Sequence, residues 1–430
     1  MKDGGRLAAA IEVLTEVETR HRPVQLALRD WGTAHRFAGS GDRTVIGNLV
    51  FDALRHKLSV GARVDADTPR MLVLATYVLT WGMGLERLRE VLEQDHHAPE
   101  PLTEAEDKAF ASAGTVTLTG NAAADVPEWL WPEFEKAFGE RAVEEGRALS
   151  ERAPIDLRIN TLKSDRERLL KRLAHVGVEA TEISQSALRI KPKPGANRMP
   201  HVQAEEGYRK GWFELQDEAS QIAAILAGAK PGEQVLDLCA GGGGKTLALA
   251  AAMENKGQIY AHDADRLRLA PIHERLKRAG AHNIQVRDPA SGDIDDLIGL
   301  MDLVFVDAPC TGTGVWRRRP DSKWKLTEKA LVDRLEDQRN VLKTAAVYVK
   351  PGGRLVYATC SLLPAENADQ VTAFLEANPE FEAVSALDSW KEHFGTDAMP
   401  SYVNERGDVT LSPATTQTDG FFLALLRRKA

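Results

Sequence analysis

Apolar positions along the chain follow two different periods, one in its first part and one in its last part. In residues 5–95 apolar side chains recur every three or four positions, as at Leu7, Ile11, Leu14 and Val17, which predicts amphipathic helices. From Phe213 onward short apolar runs alternate with helical segments, and the runs lie at 234–238, 258–262, 284–287, 302–306 and 353–358. This alternation predicts an α/β fold with a mostly parallel sheet that carries helices on both faces.

The middle of the chain predicts smaller elements. Residues 98–125 are rich in Pro, Ala, Thr, Gly and Glu with little periodicity, which predicts a linker or a long loop. A helical stretch at 126–150 is followed by a strand at 155–160, a helix at 164–176 and a strand at 187–190, which predict a small module of helix and strand. Residues 420–426 predict a last, antiparallel strand. We place the domains at 1–112, 126–205 and 206–430.

Composition narrows the class of protein. The chain has 430 residues, a formal net charge of −8 and three cysteines, which do not supply a disulfide framework and favour a reducing, cytoplasmic location. The longest apolar run, Met71 to Met83, is shorter than the roughly 20 residues that span a bilayer, so no membrane partner is expected. No cysteine pair has metal-ligand spacing, and we expect no metal and a monomer.

Each of the three cysteines follows a predicted buried strand. Cys239 follows 234–238, Cys310 follows 302–306 in the sequence Asp-Ala-Pro-Cys, and Cys360 follows 353–358. Because the carboxyl ends of parallel strands meet at one edge of an open sheet, where ligands bind, we expect the three thiols to share an edge. Burial as a small apolar side chain would explain one cysteine at a strand end. Three cysteines at one edge instead favour covalent chemistry on an electrophilic substrate. A zinc-dependent cytidine deaminase is excluded, because its Pro-Cys-x-x-Cys motif would need a cysteine at Thr313.

A glycine turn between a strand and a helix predicts a cofactor site. Spacing excludes a phosphate-binding P-loop, because Cys239 occupies the position of its first glycine. Spacing also excludes a dinucleotide-binding fingerprint, because Thr246 occupies the position of its third glycine. Acids also end three successive strands, which favours an adenosyl ligand, and S-adenosylmethionine is the natural candidate. The predicted cofactor-binding residues are Cys239, Ala240, Gly241, Gly242, Gly243, Gly244, Lys245, Asp263, Arg268, Asp288 and Asp307.

A basic segment follows the Cys310 loop. The segment Trp316–Lys325 contains five basic residues and one acidic residue, and tryptophans stand at its first and ninth positions. A run of charge is usually a solvated surface, but this placement favours a lip that binds phosphates and stacks bases. The predicted RNA-binding residues are Arg317, Arg318, Lys323 and Trp324.

Several motifs resemble those of the RsmB/Nop/Sun RNA (cytosine-5) methyltransferases. The segments 307–314, 357–367 and 237–246 resemble the fourth, sixth and first motifs of that family, and 157–163 resembles the entry to its small RRM-like domain. The resemblance implies a class I methyltransferase domain with a Rossmann-like sheet, preceded by an RRM-like α+β module. Residues 1–95 look like the all-α NusB-like domain of RsmB-type members. One departure is Gly241-Gly242 in place of the family's Ala-Pro. We expect the loss of the proline to make the cofactor loop more flexible, at a cost of about 0.4–1 kcal/mol in stability.

The resemblance also implies catalytic roles. Addition of a cysteine thiolate to carbon 6 of cytosine makes carbon 5 nucleophilic, and elimination of the thiol completes methyl transfer. Spacing alone does not say which cysteine attacks: a DNA-type enzyme would use Cys310, whereas the RNA family implies Cys360, with Cys310 assisting release. Asp307 is expected to hydrogen-bond the polar edge of the base. Lys245 either contacts the base, favours a thiolate electrostatically, or is an exposed lysine at a helix start.

These expectations define the leading hypothesis and its alternatives. The leading hypothesis is an S-adenosylmethionine-dependent RNA cytosine-5 methyltransferase that acts on small-subunit ribosomal RNA, with transfer RNA as the runner-up. A non-catalytic RNA-binding assembly factor is the alternative from another class. A methyltransferase for small molecules or proteins is a third, and it would not need the basic segment.

Overall fold

The computed structural model describes residues 1–291, 294–396 and 398–430, which pack as two units. The first, here called the helical unit, consists of Met1–Ala153, Pro192–Met199 and Trp316–Leu326. The second, here called the sheet unit, consists of the described residues of Pro154–Lys191, Pro200–Val315 and Thr327–Ala430. The predicted basic segment packs within the helical unit. The domain bounds at 1–112, 126–205 and 206–430 stay predictions.

The helical unit contains helices and no strand in its described residues, as the first part of the sequence predicts. Its core is formed by buried apolar side chains such as Leu7, Leu14, Ile46 and Leu72. The likeness to NusB stays a prediction. The α-helices span Asp3–Arg20, Val24–Ala34, Ser40–Arg55, Lys57–Val64, Pro69–Ala75, Leu85–Gln94, Glu104–Ser112, Gly120–Ala124, Trp131–Phe138, Ala142–Ser150 and Pro320–Lys325, with a π-helical turn at Thr76–Thr80 and 3₁₀ turns at Ala113–Thr115, Glu128–Leu130 and Gly139–Arg141.

Residues 98–125 contain the helices Glu104–Ser112 and Gly120–Ala124 and the 3₁₀ turn Ala113–Thr115, so the prediction of a linker or long loop there is wrong. Thr103 caps the helix Glu104–Ser112: its hydroxyl accepts a hydrogen bond from the Glu106 N–H at 3.2 Å, while the Glu106 carboxylate accepts from the Thr103 N–H at 2.9 Å. Phe110 is buried in the core of the unit. A helix that is held by a capping box and one large apolar anchor shows little periodicity, which is why the pattern misled.

A small antiparallel sheet begins the sheet unit. Its strands are β1 (Ile155–Ile159), β2 (Val178–Ala180), β3 (Ala187–Ile190) and β4 (Phe213–Leu215), in the order β2-β3-β1-β4. This order, with the helix Arg166–Arg172 after β1 and the helix Glu206–Arg209 before β4, is that of a split βαβ, ferredoxin-like module. The predicted α+β module is confirmed, and its fourth strand lies beyond residue 205. Short 3₁₀ turns occur at Ala174–Val176 and Val202–Ala204.

A larger sheet of nine strands within the described residues follows. Its order is β11-β12-β13-β9-β8-β5-β6-β7, with β10 on β13. The strands from β7 to β9 are parallel and β13 is antiparallel to β9, as predicted. The strands are β5 (Gln234–Asp237), β6 (Gln258–His262), β7 (Ile284–Arg287), β8 (Met301–Asp307), β9 (Val349–Thr359), β10 (Phe381–Val384), β11 (Tyr402–Val403), β12 (Val409–Leu411) and β13 (Phe421–Arg428).

Helices cover both faces of this sheet. In β9, Val356 and Ala358 pack into one apolar cluster, and Leu355 and Tyr357 pack into another on the opposite face. With both faces buried, the carboxyl edge of the parallel strands is the part of the sheet left for chemistry. The helices span Glu218–Leu226, Gly244–Ala252, Arg266–Leu269, Ile272–Ala279, Glu328–Tyr348, Ala368–Ala377, Ala386–Phe394 and Pro413–Thr416, with 3₁₀ turns at Pro289–Ser291, Asp295–Leu297, Thr313–Val315 and Pro364–Glu366.

Among the residues that the structure describes, no helix is both long enough and apolar enough to cross a membrane.

Candidate active site

The three cysteines lie at one edge of the larger sheet, as predicted. Cys239, Cys310 and Cys360 follow β5, β8 and β9, which are parallel neighbours in the sheet. Asp307 ends β8 and lies opposite Ala358 of β9, so the two Cys-containing turns leave the sheet side by side. This edge is the candidate active site.

Cys310 and Cys360 form a close pair. Their Sγ atoms are 3.4 Å apart, within hydrogen-bond distance for sulfur, and both residues are partly exposed. The hydrogen bond to Cys360 and removal from water raise the pKa of the Cys310 thiol well above its usual value, and the charges of Glu366 and Asp307 raise it further. A raised pKa favours the protonated form of Cys310, and the sulfur pair suits a hydrogen bond with either sulfur as the donor.

Cys239 is not part of that pair. It packs against the apolar cluster that includes Leu236, Leu238 and Tyr260. Burial raises the pKa of its thiol, and the nearby carboxylates of Asp237, Asp307 and Asp263 raise it further. A thiol that stays neutral is a poor nucleophile, so Cys239 fits a residue that lines the site better than one that attacks a substrate.

Lys245 and Asp307 form an ion pair beside the thiols. The Lys245 Nζ atom donates to Asp307 Oδ2 at 2.6 Å and lies 4.9 Å from the centre of the Phe421 ring. Lys245 is 8% exposed, so the alternative of an exposed lysine at a helix start is excluded. The ion pair with Asp307 and the contact with the Phe421 ring hold the Lys245 ammonium in place, which fixes the orientation of the Asp307 carboxylate.

Backbone contacts fix the Cys310 turn against the Cys360 turn. The Gly314 N–H donates to the Cys360 carbonyl at 2.9 Å, and the Gly420 N–H donates to the Gly314 carbonyl at 2.8 Å. A Cβ atom on Gly314 would lie 2.1 Å from the Gly420 carbonyl oxygen, so only glycine allows this approach. Three separate segments of the chain thus meet at the site.

The glycine turn after β5 forms a polar cradle. Gly241 and Gly243 have φ values of +50° and +80°, and the Gly241 N–H donates to the Asp263 carboxylate at 2.8 Å. A Cβ atom on Gly241 would lie 3.7 Å from Arg268 Nη2 and 3.9 Å from Asp263 Oδ2, so these two groups border the space in front of the turn. Arg275 donates to the Gly242 carbonyl at 2.6 Å and holds the turn that lacks the usual proline.

Asp237, which sequence reasoning missed, adds an unpaired acceptor at the end of β5. Its Oδ2 atom accepts from the Thr246 hydroxyl at 2.6 Å, whereas the buried Oδ1 atom has no partner in the described structure. Burial raises the pKa of Asp237 to about 7. A buried acceptor without a partner is costly unless a ligand satisfies it, so the cradle fits a ligand that donates hydrogen bonds.

The remaining predicted cofactor residues surround this turn. Ala240 is buried in the turn and its N–H donates to the His262 carbonyl at 2.8 Å, while Gly244 begins the following helix. Asp288 follows β7 and pairs with Arg266 at 3.2 Å. Their contact with a cofactor stays a prediction.

The predicted RNA-binding residues do not form an exposed lip. Arg317 and Lys323 are 5% and 1% exposed within the helical unit. The Lys323 Nζ atom donates to the Arg55 carbonyl at 3.1 Å and the Ser150 hydroxyl at 3.2 Å, and the Trp324 indole donates to the Leu54 carbonyl at 2.7 Å. The expected surface is therefore packed against helices, because the flanking aromatic rings belong to an apolar core. A contact of Arg317, Arg318, Lys323 or Trp324 with RNA stays a prediction.

Replacing Lys323 with alanine is expected to lower the free energy of unfolding by about 2–4 kcal/mol, because buried acceptors lose their donor. Lys329→Ala is the matched control: the Lys329 side chain is exposed and pairs with Asp333, so a change within about 0.5 kcal/mol is expected. Denaturant unfolding of the full chain measures both. Equal, small effects would contradict a packing role for Lys323.

The same variant has an expected pH signature. Burial lowers the pKa of Lys323 from 10.5 to about 8, so the unfolded chain binds this proton more tightly than the folded chain does. The contribution of this group to the free energy of unfolding therefore rises between pH 8 and 10.5, and Lys323→Ala should lack that rise. Unfolding curves at pH 8 and 10 would test it, and an unchanged difference between the two pH values would count against the buried charge.

Among residues 1–291, 294–396 and 398–430, no three His, Cys, Asp or Glu side chains are placed to hold an ion. The expectation of no metal stays a prediction.

Comparisons with known proteins identify relatives of this chain. Residues 223–427 match the family profile "16S rRNA methyltransferase RsmB/F", and residues 126–194 match the ferredoxin-like domain of RsmF/B-like methyltransferases. A probable ribosomal RNA small subunit methyltransferase B of Synechocystis sp. is 34% identical over 70% of this chain, and the enzyme of that name from Pectobacterium atrosepticum is 33% identical over 70%. In both cases the chain spans 66% of the relative's length.

Solved structures show the same fold. The crystal structure of PH0851 aligns with a TM-score of 0.72 and 25% identity over 100% of this chain and 99% of its own. NSun6 from Pyrococcus horikoshii with SFG aligns with a TM-score of 0.61 over 71% of this chain and 99% of its own, at 22% identity.

Proposed function

The chain belongs to the RsmB/F family of 16S rRNA methyltransferases, and we propose that it transfers a methyl group from S-adenosylmethionine to carbon 5 of a cytosine in RNA. The observation that carries this proposal is the pair of thiols 3.4 Å apart beside the Lys245–Asp307 ion pair. Carbon 5 of cytosine is a poor nucleophile, and a neighbouring thiolate is the group that activates it.

Cys360 is the nucleophile in this proposal. Its thiolate adds to carbon 6 of the ring, which makes carbon 5 electron-rich. Carbon 5 takes the methyl group and then releases its proton to solvent, while the carbon–sulfur bond breaks and its electron pair returns to the Cys360 sulfur. Cys310 keeps its proton and donates a hydrogen bond to the departing Cys360 sulfur. Asp307, oriented by Lys245, accepts from the polar edge of the base. The base must leave its stack to reach both thiols.

The cradle around Gly241 would hold the cofactor, which supplies an electrophilic methyl group on a sulfonium centre. Both Asp263 oxygens accept backbone N–H groups, from Gly241 and Asp265, and each retains a lone pair for a ribose hydroxyl. The orphaned Asp237 oxygen fits a further donor, and Arg268 borders the same space. SFG, the S-adenosylmethionine analogue in the NSun6 structure, supports this choice of ligand.

Small-subunit ribosomal RNA is the proposed substrate. The relatives named ribosomal RNA small subunit methyltransferase B support it, and a cytoplasmic location accords with three unpaired cysteines. Transfer RNA is the alternative within the same reaction. Mapping of 5-methylcytosine in ribosomal and transfer RNA from a strain that lacks this protein tests the choice. A lost site in transfer RNA alone would overturn the ribosomal assignment.

Calorimetry with S-adenosylmethionine tests the enzyme against a non-catalytic assembly factor. Binding at a stoichiometry of one per chain is expected from the cradle. An absence of binding to the folded full-length protein would favour the assembly factor.

Gly243→Ala is expected to weaken S-adenosylmethionine binding at least tenfold. The added Cβ atom would lie 2.5 Å from Ile272 Cγ1 at a φ of +80°, so the turn must move. Gly299→Ala is the matched control, since Gly299 has a φ of +68° and open space around the Cβ position. Its strain should cost about 1 kcal/mol of stability without an effect on affinity. Equal affinities for both variants would contradict the proposed site.

A further inference from the structure

Glu366 is a buried acid beneath the two thiols. It is 0% exposed, lies in the 3₁₀ turn Pro364–Glu366, and is the one charged residue between Arg354 and Asp369 in the sequence. A buried carboxylate is costly unless hydrogen bonds satisfy it, so its partners indicate what it holds.

Its four side-chain hydrogen bonds among the described residues come from three residues. The Oε1 atom accepts from the Thr311 N–H at 2.8 Å and from Gln338 Nε2 at 2.9 Å. The Oε2 atom accepts from the Thr311 hydroxyl at 2.5 Å and from the Ser361 hydroxyl. Because a carboxylate offers four acceptor positions, all of them are engaged.

These donors belong to the two catalytic turns. Thr311 directly follows Cys310, and Ser361 directly follows Cys360. Gln338, from the helix Glu328–Tyr348, also donates to the Pro309 carbonyl at 3.0 Å. One side chain thus joins the residue after each cysteine, and the turn before Cys310 is tied to the same group.

We propose that Glu366 is a positioning residue that sets the separation of the Cys310 and Cys360 sulfurs by holding both turns on one carboxylate. Its effect on turnover rests on the proposed function, whereas its effect on the sulfur separation does not. Its negative charge has a second consequence, since it helps to keep the proton on Cys310. Cys360, Asp307 and the buried Tyr357 ring also face that thiol, and Lys245 reaches it through Asp307.

A trivalent arsenical measures the separation without any methylation. Phenylarsine oxide reacts with two neighbouring thiols to form two As–S bonds and one water, so tight binding requires sulfurs that are close. The full-length protein should bind one equivalent, and Cys310→Ala and Cys360→Ala should each abolish it. Cys239→Ala should keep it, because Cys239 lies outside the pair.

Glu366→Ala is expected to weaken arsenical binding at least tenfold and to slow turnover on RNA roughly 100-fold, as a misplaced reacting group does. Trapping on RNA that carries 5-fluorocytosine should persist, because Cys360 remains, and covalent adduct should accumulate on ordinary RNA. A general loss of packing would instead remove trapping and turnover together. Glu376→Ala, an exposed acid on the helix Ala368–Ala377, is the matched control and should equal the parent in every measurement.

Glu366→Gln decides the matter if the alanine variant does not fold. The amide keeps the size of the side chain but places a donor where Glu366 accepts, so arsenical binding should fall to between the values of the parent and of Glu366→Ala. Parental arsenical binding and turnover in either folded variant would overturn the inference. If the parent binds the arsenical but does not methylate RNA, the proposed function fails while the role of Glu366 in holding the sulfurs stands.

Discussion

Replacing Cys360 with alanine is expected to reduce methylation of RNA by at least about 10⁴-fold, as loss of a covalent nucleophile does in other enzymes. The reason is that carbon 5 of cytosine gains its reactivity from the sulfur on carbon 6. Transfer of labelled methyl groups into RNA measures the rate. RNA that carries 5-fluorocytosine measures the adduct, because fluorine blocks the last elimination, and the variant should form no denaturation-resistant complex.

Cys360→Ser is the matched variant for this prediction. The hydroxyl preserves the shape of the side chain and its hydrogen bonding, but it is a far weaker nucleophile near neutral pH. It should therefore be as inactive as the alanine variant, with an unchanged unfolding transition. If the adduct persists in both Cys360 variants and disappears in Cys310→Ala, the two thiols have the opposite roles, as in DNA-type enzymes.

Cys310→Ala is expected to accumulate a covalent complex with ordinary RNA and to slow turnover roughly 10²–10⁴-fold. The Cys310 sulfur lies 3.4 Å from that of Cys360, and its raised pKa favours the protonated thiol. Without this donor the leaving thiolate is not stabilised, so the reaction stops after methyl transfer. Denaturing electrophoresis of enzyme with unmodified RNA measures the complex.

Cys310→Ser keeps a hydrogen-bond donor at this place and should release RNA faster than the alanine variant does. Free turnover of Cys310→Ala at the parental rate would contradict the release role. A folded protein that neither traps nor methylates would indicate that Cys310, and not Cys360, forms the bond to the ring.

The elements of the sheet unit were readable from the sequence because local patterns produce them. The apolar runs at 234–238, 258–262 and 284–287 became β5, β6 and β7 to within one residue. A central parallel strand is buried on both faces and therefore reads as a largely apolar run, and the segments between parallel strands must be long enough for a crossover. The expected edge with three cysteines followed from the same rule.

Two segments differ from their predictions for different reasons. The helix Glu104–Ser112 replaces a predicted loop because a capping box and one apolar anchor leave little periodicity, whereas Trp316–Lys325 is packed instead of forming the predicted exposed lip. A charged side chain must be either solvated or paired with polar groups, and the sequence does not show which of the two applies. Lys323 donates hydrogen bonds to the Arg55 carbonyl and the Ser150 hydroxyl, which lie far from it in the sequence.

Glu366 shows the same limit at the candidate active site. It stands as an isolated acid in an otherwise uncharged stretch, a signal that sequence reading passed over. Nothing local indicates that its partners are Thr311 and Gln338, because no spacing rule relates those positions.

The sequence alone predicts the parallel strands of the larger sheet, the shared edge with its three cysteines, and the candidate residues for a bond to a base, because periodicity and motif chemistry are local properties of the chain. The packing of remote segments shows which two of the three thiols meet and which charges are buried, because distances and desolvation arise only when those segments come together.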